Sequence, residues 1–381
     1  MARSTYKKGI LLPPAVGYSL EILFGLVKTN SVPFAYYPRL LAITLINLIN
    51  LPFRTYERCI INPQIRKSSV CEDPVFIIGH WRSGTTHLHN ILCQDPGMAY
   101  VTTYQSVFPD TLFNKAGRFL FENFMKLLIP GKRKGDNVEL GPTFPQEEEF
   151  ALGDKTPVCY YYFWLFPQNI LKYYDSFVRN REMDAEVMQS WKDDYLLLVK
   201  KALKNTNGNR FLSKNPTNTG RVKVLLELFP NAKFIHIHRN PVEVFLSTLH
   251  FYTEMMKPLR LQDISEKDTE EAVFEIYKRL MSDYFEQKDL IPTGNLIELS
   301  FDDLENKSSV CIERIYNTLS LNGFDQTKSL FSKYFDGTKN YSKNIHTIKR
   351  EHLNRVLNEW GFVMEKYNYT TPENIKVTDE Q

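Results

Sequence analysis

A chain of 381 residues with 43% hydrophobic and 24% charged side chains can bury a sizeable core, which excludes a disulfide-stapled miniature and a disordered polymer. Forty-seven basic against 44 acidic residues leave +3, too weak a chain-wide field to hold a nucleic-acid backbone, so no nucleic-acid partner is expected and any anion site must be local. Cys59, Cys71, Cys93, Cys159 and Cys311 are odd in number and include no C-x-x-C pair, which suits a reducing, cytoplasmic compartment better than a disulfide framework or a zinc cluster.

In chain order, Met1 to Lys8 is basic, but Pro13-Pro14 cuts Ile10-Leu11-Leu12 short of a signal-peptide core, and none is assigned. Residues 33 to 60 are apolar around most of a helical wheel. They are expected to form a helix buried against the main body, the alternative being a helix lying in a membrane interface. The densest run, Leu40 to Leu51, is interrupted by Asn47 and Asn50 and is shorter than the ~20 residues of a spanning helix, so no transmembrane segment is expected. Pro74 to Gly79 is short, β-branched, aromatic and uncharged, the pattern of a central strand covered on both faces. Arg210 to Ser213, Lys233 to His238 and Asn295 to Leu299 read as further strands. Asp184 to Lys204, Thr217 to Leu228 and Phe301 to Leu319 read as helices. This alternation predicts an α/β fold with a central parallel sheet flanked by helices, with helical extensions at both ends. The expected division is an N-terminal helical extension over 1–70, packed on the core, and one main domain over 71–381.

In such sheets ligands bind beyond the carboxyl ends of the strands. After the first strand comes Gly79-His80-Trp81-Arg82-Ser83-Gly84-Thr85-Thr86, then a helix. This is the G-x-x-x-x-G spacing of a phosphate-binding loop, in which backbone N–H groups and a helix N-terminus face an anion. Thr85 stands where a nucleoside-triphosphatase loop has lysine, and the cation, Arg82, lies inside the loop. A second strand end carries Ser213-Lys214-Asn215-Pro216, and a third carries His238-Arg239-Asn240-Pro241, with Ser247 two turns into the next helix. Arg239 and Ser247 are placed to contact one phosphate across the groove between strand end and helix. Arg82, Lys214 and Arg239 on one sheet edge point to a ligand with at least two negative charges.

The ordered set R-S-G-T-T, S-K-N-P and H-R-N-P-x-x-V-x-x-S resembles the PAPS-dependent sulfotransferases of the bacterial and tyrosylprotein-type branch, over about Pro74 to Leu319. PAPS is 3′-phosphoadenosine 5′-phosphosulfate. The resemblance implies a P-loop-like fold and a cosubstrate site in which Arg82, Ser83, Gly84, Thr85 and Thr86 cradle the 5′-phosphosulfate. It implies that Arg239 and Ser247 hold the 3′-phosphate, and that Lys214 supports the transferring group. Sulfuryl transfer resembles phosphoryl transfer in relying on positioned cations and backbone N–H groups, so no metal is required.

An acceptor hydroxyl benefits from a base. Part of the family has a tryptophan-glutamate or paired-glutamate segment soon after the loop, where this chain has Tyr104-Gln105, and Gln105 cannot serve. Pro145-Gln146-Glu147-Glu148-Glu149 opens an apolar helix and resembles a bacterial P-x-E-x-E-x-x-L pattern. Glu147 is the first candidate and Glu149 the second; residues two apart on a helix point differently, so one acts. Acids there also complement a helix dipole. His250 is a base of last resort, and His87-x-His89 and His236-x-His238 are not spaced for a metal. Tyr160 to Trp164 is expected to be core, the alternative being the lining of an apolar acceptor pocket. Lys333, Lys339, Tyr341 and Lys343 around Gly337 are expected to form a solvated loop rather than a lid. The acceptor is expected to be a small-molecule or lipid hydroxyl, such as a sterol- or lipid-like alcohol, which in the membrane-interface alternative is reached through peripheral contact of residues 33–60. The rival readings are a P-loop nucleotide-dependent kinase and a non-catalytic adaptor on the same fold.

Overall fold

Strands β1 (Val75–Ile78), β2 (Met98–Ala99), β3 (Arg210–Lys214), β4 (Lys233–His238) and β5 (Leu296–Ser300) form one sheet in the order β2-β3-β1-β4-β5, with every pairing parallel. The computed structural model describes residues 14–70, 73–128, 141–181, 183–338 and 346–379. β1, the central strand, is buried at every position, as its unbroken apolar run requires. Successive strand residues point to opposite faces, so the sheet separates two cores. Phe76, Ile78, Phe211 and Phe234 face one core with helices Ala185–Thr206 and Glu266–Gln287. Val75, Ile77, Leu212, Ile235 and Ile237 face the other, with helices Thr85–Leu92 and Ser308–Thr318. The register sets Ile77 beside Lys214 and Ile78 beside His236, so the carboxyl ends of β1, β3 and β4 share one edge.

Local signals alter three expected elements. The stretch read as one helix over Thr217 to Leu228 is a 3₁₀ turn, Pro216–Gly220, then a helix, Val222–Leu228. Asn215 caps the turn by accepting from the Thr217 N–H, and Arg221 breaks the helical dihedrals between the two. Phe301 to Leu319 divides at Lys307 into helices Phe301–Asn306 and Ser308–Thr318. Lys333 and Gly337 belong to helix Phe324–Thr338 rather than to a loop, while Lys339, Tyr341 and Lys343 lie outside the described residues.

The N-terminal segment departs furthest from expectation. Helical structure is continuous over Phe34–Arg66, 33 residues, well beyond the Leu40 to Leu51 run, and is long and apolar enough by composition to cross a membrane. The side that packs on the body is mixed: Ile43 is buried and Leu40, Ile46 and Phe53 are half-buried against the core, among polar residues. Asn47, Asn50, Arg54 and Glu57 are buried, while Leu41 is 60% exposed and Leu45, Leu48, Ile49, Tyr56 and Ile60 are exposed with it. The polar residues on that side are tolerated because the body offers polar partners. Asn47 and Arg54 donate to the carbonyls of Ala15 and Tyr18, and Asn50 accepts from Thr111. Lys201 Nζ lies 2.6 Å from Glu57 Oε1 and 3.2 Å from Asp110 Oδ1, and Lys155 and Arg58 reach Asp110 at 2.8 and 2.6 Å. Burial alone would raise the Asp110 carboxyl, but Lys155, Lys201 and Arg58 hold it well below the usual carboxylate range.

The strand histidines are packing residues. His236 stacks on Tyr284 with ring centroids 4.0 Å apart, and His238 stacks on Tyr367 at 3.7 Å while its Nδ1 meets the Tyr369 hydroxyl at 2.8 Å. His80 is buried with Nδ1 2.7 Å from the Trp81 carbonyl. Burial pushes His80 and His236 down to about 3 and His238 down to about 4.

Replacing Lys201 with Met should destabilise the fold by about 3–5 kcal/mol, because Glu57 would lose its buried cation, with urea unfolding as the measurement. A loss under about 1 kcal/mol would show the cluster to be dispensable. The histidines predict an acid-sensitive fold. Unfolded, each takes a proton near pH 6.5, whereas the folded groups resist protonation to about 3 or 4. Their contribution is complete above pH 6.5 and is lost as pH falls toward 4, each adding up to roughly 1.4 kcal/mol per pH unit. Unfolding free energies that match at pH 7 and pH 5 would contradict this.

Candidate active site

The turn after β1 is forced into an unusual path. Gly79 has φ +137°, and a Cβ there would come 2.2 Å from the Ile237 carbonyl oxygen, so only glycine passes that close to β4. Thr219 pins the same residue, accepting from the Gly79 N–H at 2.7 Å and donating to its carbonyl at 3.2 Å. Gly84 has φ +92° against the Phe301 ring, which a Cβ would meet at 2.2 Å. Arg82, between them, adopts the left-handed region at φ +70°, a conformation costing about 1–3 kcal/mol in a residue with a side chain. Helix Thr85–Leu92 follows with Gly84 at its N-cap and no side chain capping it. Its first N–H groups therefore have no intrahelical acceptor, the condition for an anion-binding helix start.

A continuous chain of contacts joins the three strand ends. Lys214, at the end of β3, donates to Glu147 Oε1, and the Tyr161 hydroxyl donates to Glu147 Oε2. Trp81 Nε1 donates to Tyr161 at 2.8 Å, and Trp81 is joined by its peptide to Arg82. Arg82 Nε donates to Ser247 Oγ at 2.9 Å, and Arg239 Nη1 approaches the Arg82 carbonyl at 3.5 Å. Arg239 also donates to Glu243 at 2.9 Å and lies 4.7 Å over the Phe301 ring. Arg82, Lys214, Arg239 and Ser247 are thus brought together, together with Ser83, Gly84, Thr85 and Thr86. The pairing differs in one respect. Ser247 contacts Arg82 here, whereas Arg239 reaches across to Glu243.

The three consecutive glutamates separate. Glu147 is the N-cap of helix Glu148–Gly153 and faces the edge. Glu148 is buried, accepting from Ser213, from Tyr195 at 2.9 Å and from Asn218 at 2.9 Å. Burial raises its pKa, against the pull of those hydrogen bonds. Glu149, the second candidate base, is fully buried and fully engaged. Arg221 grips both oxygens at 2.6 and 3.0 Å, Asn215 donates at 2.9 Å, and the Tyr160 N–H donates at 2.9 Å. Its carboxylate anchors the fold and does not face the edge. Gln105 is buried and donates to the Leu198 carbonyl at 3.3 Å, and His250 is exposed at the end of helix Pro241–His250.

Tyr161 and Trp81 are the residues the sequence reading missed. Trp81 stands inside the loop motif, which was the available signal; nothing in the run Tyr160 to Trp164 singles out its second tyrosine. Burial first, then the Glu147 charge, raise the Tyr161 hydroxyl well above its ordinary value, so it remains a donor. The run is mostly core, as expected, but Trp164 is half-buried and extends a wall. Phe150 lies 4.7 Å from Tyr161 and 5.5 Å from Trp164, and Trp164 lies 5.4 Å from Phe251, whose ring sits under Arg82 at 5.6 Å. An aromatic surface thus runs from Glu147 to Arg82.

The chain is similar to known proteins. The chain is 27% identical over 332 residues to the omega-hydroxy-beta-dihydromenaquinone-9 sulfotransferase Stf3 of Mycobacterium bovis and to that of Mycobacterium tuberculosis, covering 87% of this chain and 84% of theirs. Sulfotransferase STF9 from Mycobacterium avium has the same fold, with a TM-score of 0.69 at 16% identity over 92% of this chain and 91% of that one. Sulfotransferase STF1 from Mycobacterium tuberculosis aligns with a TM-score of 0.62 at 15% identity, over 91% and 90% of the two chains. Residues 74–326, containing the loop, the three strand ends and the glutamates, match the model of the sulfotransferase family. That match sets aside the kinase alternative: the chain belongs to the sulfotransferase family.

Proposed function

We propose that this sulfotransferase takes its sulfuryl group from PAPS and delivers it to the hydroxyl of an apolar, lipid-like alcohol. The observation that carries the reading is Glu147, held between Lys214 and Tyr161 beside the left-handed Arg82 loop. The loop N–H groups of Ser83 to Thr86 and the Arg82 guanidinium suit the phosphosulfate, and Arg239 with Ser247 suits the 3′-phosphate. As the acceptor oxygen bonds to sulfur, the sulfur–oxygen bond to the nucleotide's phosphate breaks and the acceptor proton passes to Glu147. Protonation of Glu147 weakens its hold on Lys214, which then neutralises the charge left on the departing phosphate. Arg82 and Lys214 supply that neutralisation, so the reading needs no metal.

The half-buried aromatic wall of Phe150, Trp164 and Phe251 supports an apolar acceptor, and so does the acceptor named for the mycobacterial relatives. In this reading residues 71–381 are the catalytic domain and 1–70 the extension that meets a membrane surface from the cytoplasmic side.

Glu147→Gln should lower kcat by ~10²–10⁴ while leaving PAPS affinity nearly unchanged, whereas Glu149→Gln should act chiefly on stability. Wild-type turnover in Glu147→Gln would leave Glu147 as a helix-capping acid. Arg239→Ala should weaken PAPS binding by about 1.5–3 kcal/mol in calorimetry, with adenosine 5′-phosphosulfate, which lacks the 3′-phosphate, bound equally by both proteins. A variant that still prefers PAPS as strongly as the wild type would refute the 3′-phosphate assignment.

A further inference from the structure

The helix Phe34–Arg66 turns its charged residues inward and leaves an apolar side outward, and we propose that this outward side is a docking surface for an anionic lipid bilayer. Every charged side chain between residues 33 and 64 is withdrawn from that side. Arg54 and Glu57 are buried, and Arg39 and Arg58 are turned toward the body, where they reach the Arg260 carbonyl and Asp110. The residues left exposed there, from Phe34 at 84% through Leu41, Leu45 and Leu48 to Ile60, carry no charge. The apolar surface continues onto the neighbouring helix Lys115–Leu128, which packs against it through Phe53 and Phe121 with rings 6.0 Å apart. That helix exposes Phe119 at 74% together with Leu120.

The exposed charges beside this surface select the partner. On the described segments 14–70 and 115–126 they are Lys28, Arg66, Lys67, Lys115 and Lys126 against Glu21, with Arg66 paired to Asp194 at 3.3 Å and Lys126 to Glu122 at 3.1 Å, an excess that remains cationic. Excess exposed cations on the segments that carry an uncharged apolar ridge complement anionic headgroups over acyl chains. Tyr37 and Tyr56, both exposed, sit toward the two ends of the ridge, the position amphipathic rings take at a membrane interface. The helix lies in the plane rather than crossing. At about 1.5 Å per residue it is near 50 Å long, against roughly 30 Å of hydrocarbon. Spanning would also strip Glu57 from Lys201 and leave both charges in lipid.

The proposal rests on the apolar-acceptor reading for its purpose: a lipid-like alcohol would be drawn from the layer in which the ridge is seated. Its evidence is the surface itself. The test is co-sedimentation of the full chain with phosphatidylglycerol–phosphatidylcholine vesicles. Wild type should pellet, and less so with phosphatidylcholine alone. The exposed triple substitution Leu45→Glu, Leu48→Glu, Ile49→Glu should lower the partition coefficient by roughly 100-fold. Phe119→Ser with Leu120→Ser should lower it less. Circular dichroism and turnover on a water-soluble short-chain alcohol should match wild type, since no substituted residue touches the site. Equal pelleting of wild type and the triple variant would overturn the proposal. So would a wild type that ignores vesicles but forms a dimer, by light scattering, that the triple variant loses, because the ridge would then be covered by a second copy. Preference for glycans in an acceptor screen, with vesicle binding intact, would overturn the acceptor reading alone.

Discussion

Like charges gathered at one sheet edge repel, and the parallel topology forces that gathering, because the residues after β1, β3 and β4 all emerge together. The fold answers each cation with its own partner. Lys214 has Glu147, Arg239 has Glu243 on the first turn of the following helix, and Arg82 has the Ser247 hydroxyl and the Phe251 ring. These partners hold the long side chains in defined places, so an anion arriving there meets groups already oriented. The rotamer entropy that binding would otherwise consume is lost at folding instead. Arg82 adds backbone strain to the same account, since its left-handed conformation persists only because Gly79, Thr219 and Phe301 fix the loop on both sides.

Placement of the candidate base Glu147 follows from the two acids beside it. Glu148 accepts from Ser213 in β3 and Asn218 beyond it, and Glu149 is clamped by Arg221 and Asn215. Both tie the start of helix Glu148–Gly153 to the segment that carries Lys214. Glu147, one residue earlier and outside the helix, is left directed at Lys214 and Tyr161. Buried carboxylates with that many donors give little net stability over apolar replacements, but they fix one geometry, and here the geometry is that of the candidate base.

Four of the five strands of the main sheet, their order along the chain and the cationic strand ends were legible because each rests on a local rule, whereas the two-residue β2 was not expected. A buried parallel strand is a short β-branched run, and a phosphate-type loop needs glycine where the backbone turns left-handed or passes close to another strand. What was hidden depends on partners distant in sequence. Nothing at Glu149 announces Arg221, 72 residues away, so an acid clamped in the interior and one facing the sheet edge look alike in the sequence. Tyr161 likewise gains its place from Trp81, 80 residues earlier. The Lys307 break depends on two short helices packing separately, for which composition offers no signal.

The N-terminal helix shows why a wheel alone misleads. Apolar content reports how much surface avoids water, not which side meets the protein. Asn47, Asn50, Arg54 and Glu57 fall on one side at helical spacing, and the body supplies carbonyls, Thr111 and Lys201 to match them. In a soluble helix that stripe would face solvent, where hydration of Glu57 and Lys201 is free of the desolvation that burial imposes. Turning it inward sends the leucines outward, and each fully buried Leu or Ile would otherwise contribute about 1.5–3 kcal/mol. A fold stable by only about 5–15 kcal/mol does not forgo several such contributions without an environment that recovers them. In the proposed docking an apolar layer outside the protein recovers them, and the same layer would hold the lipid-like alcohol proposed as acceptor.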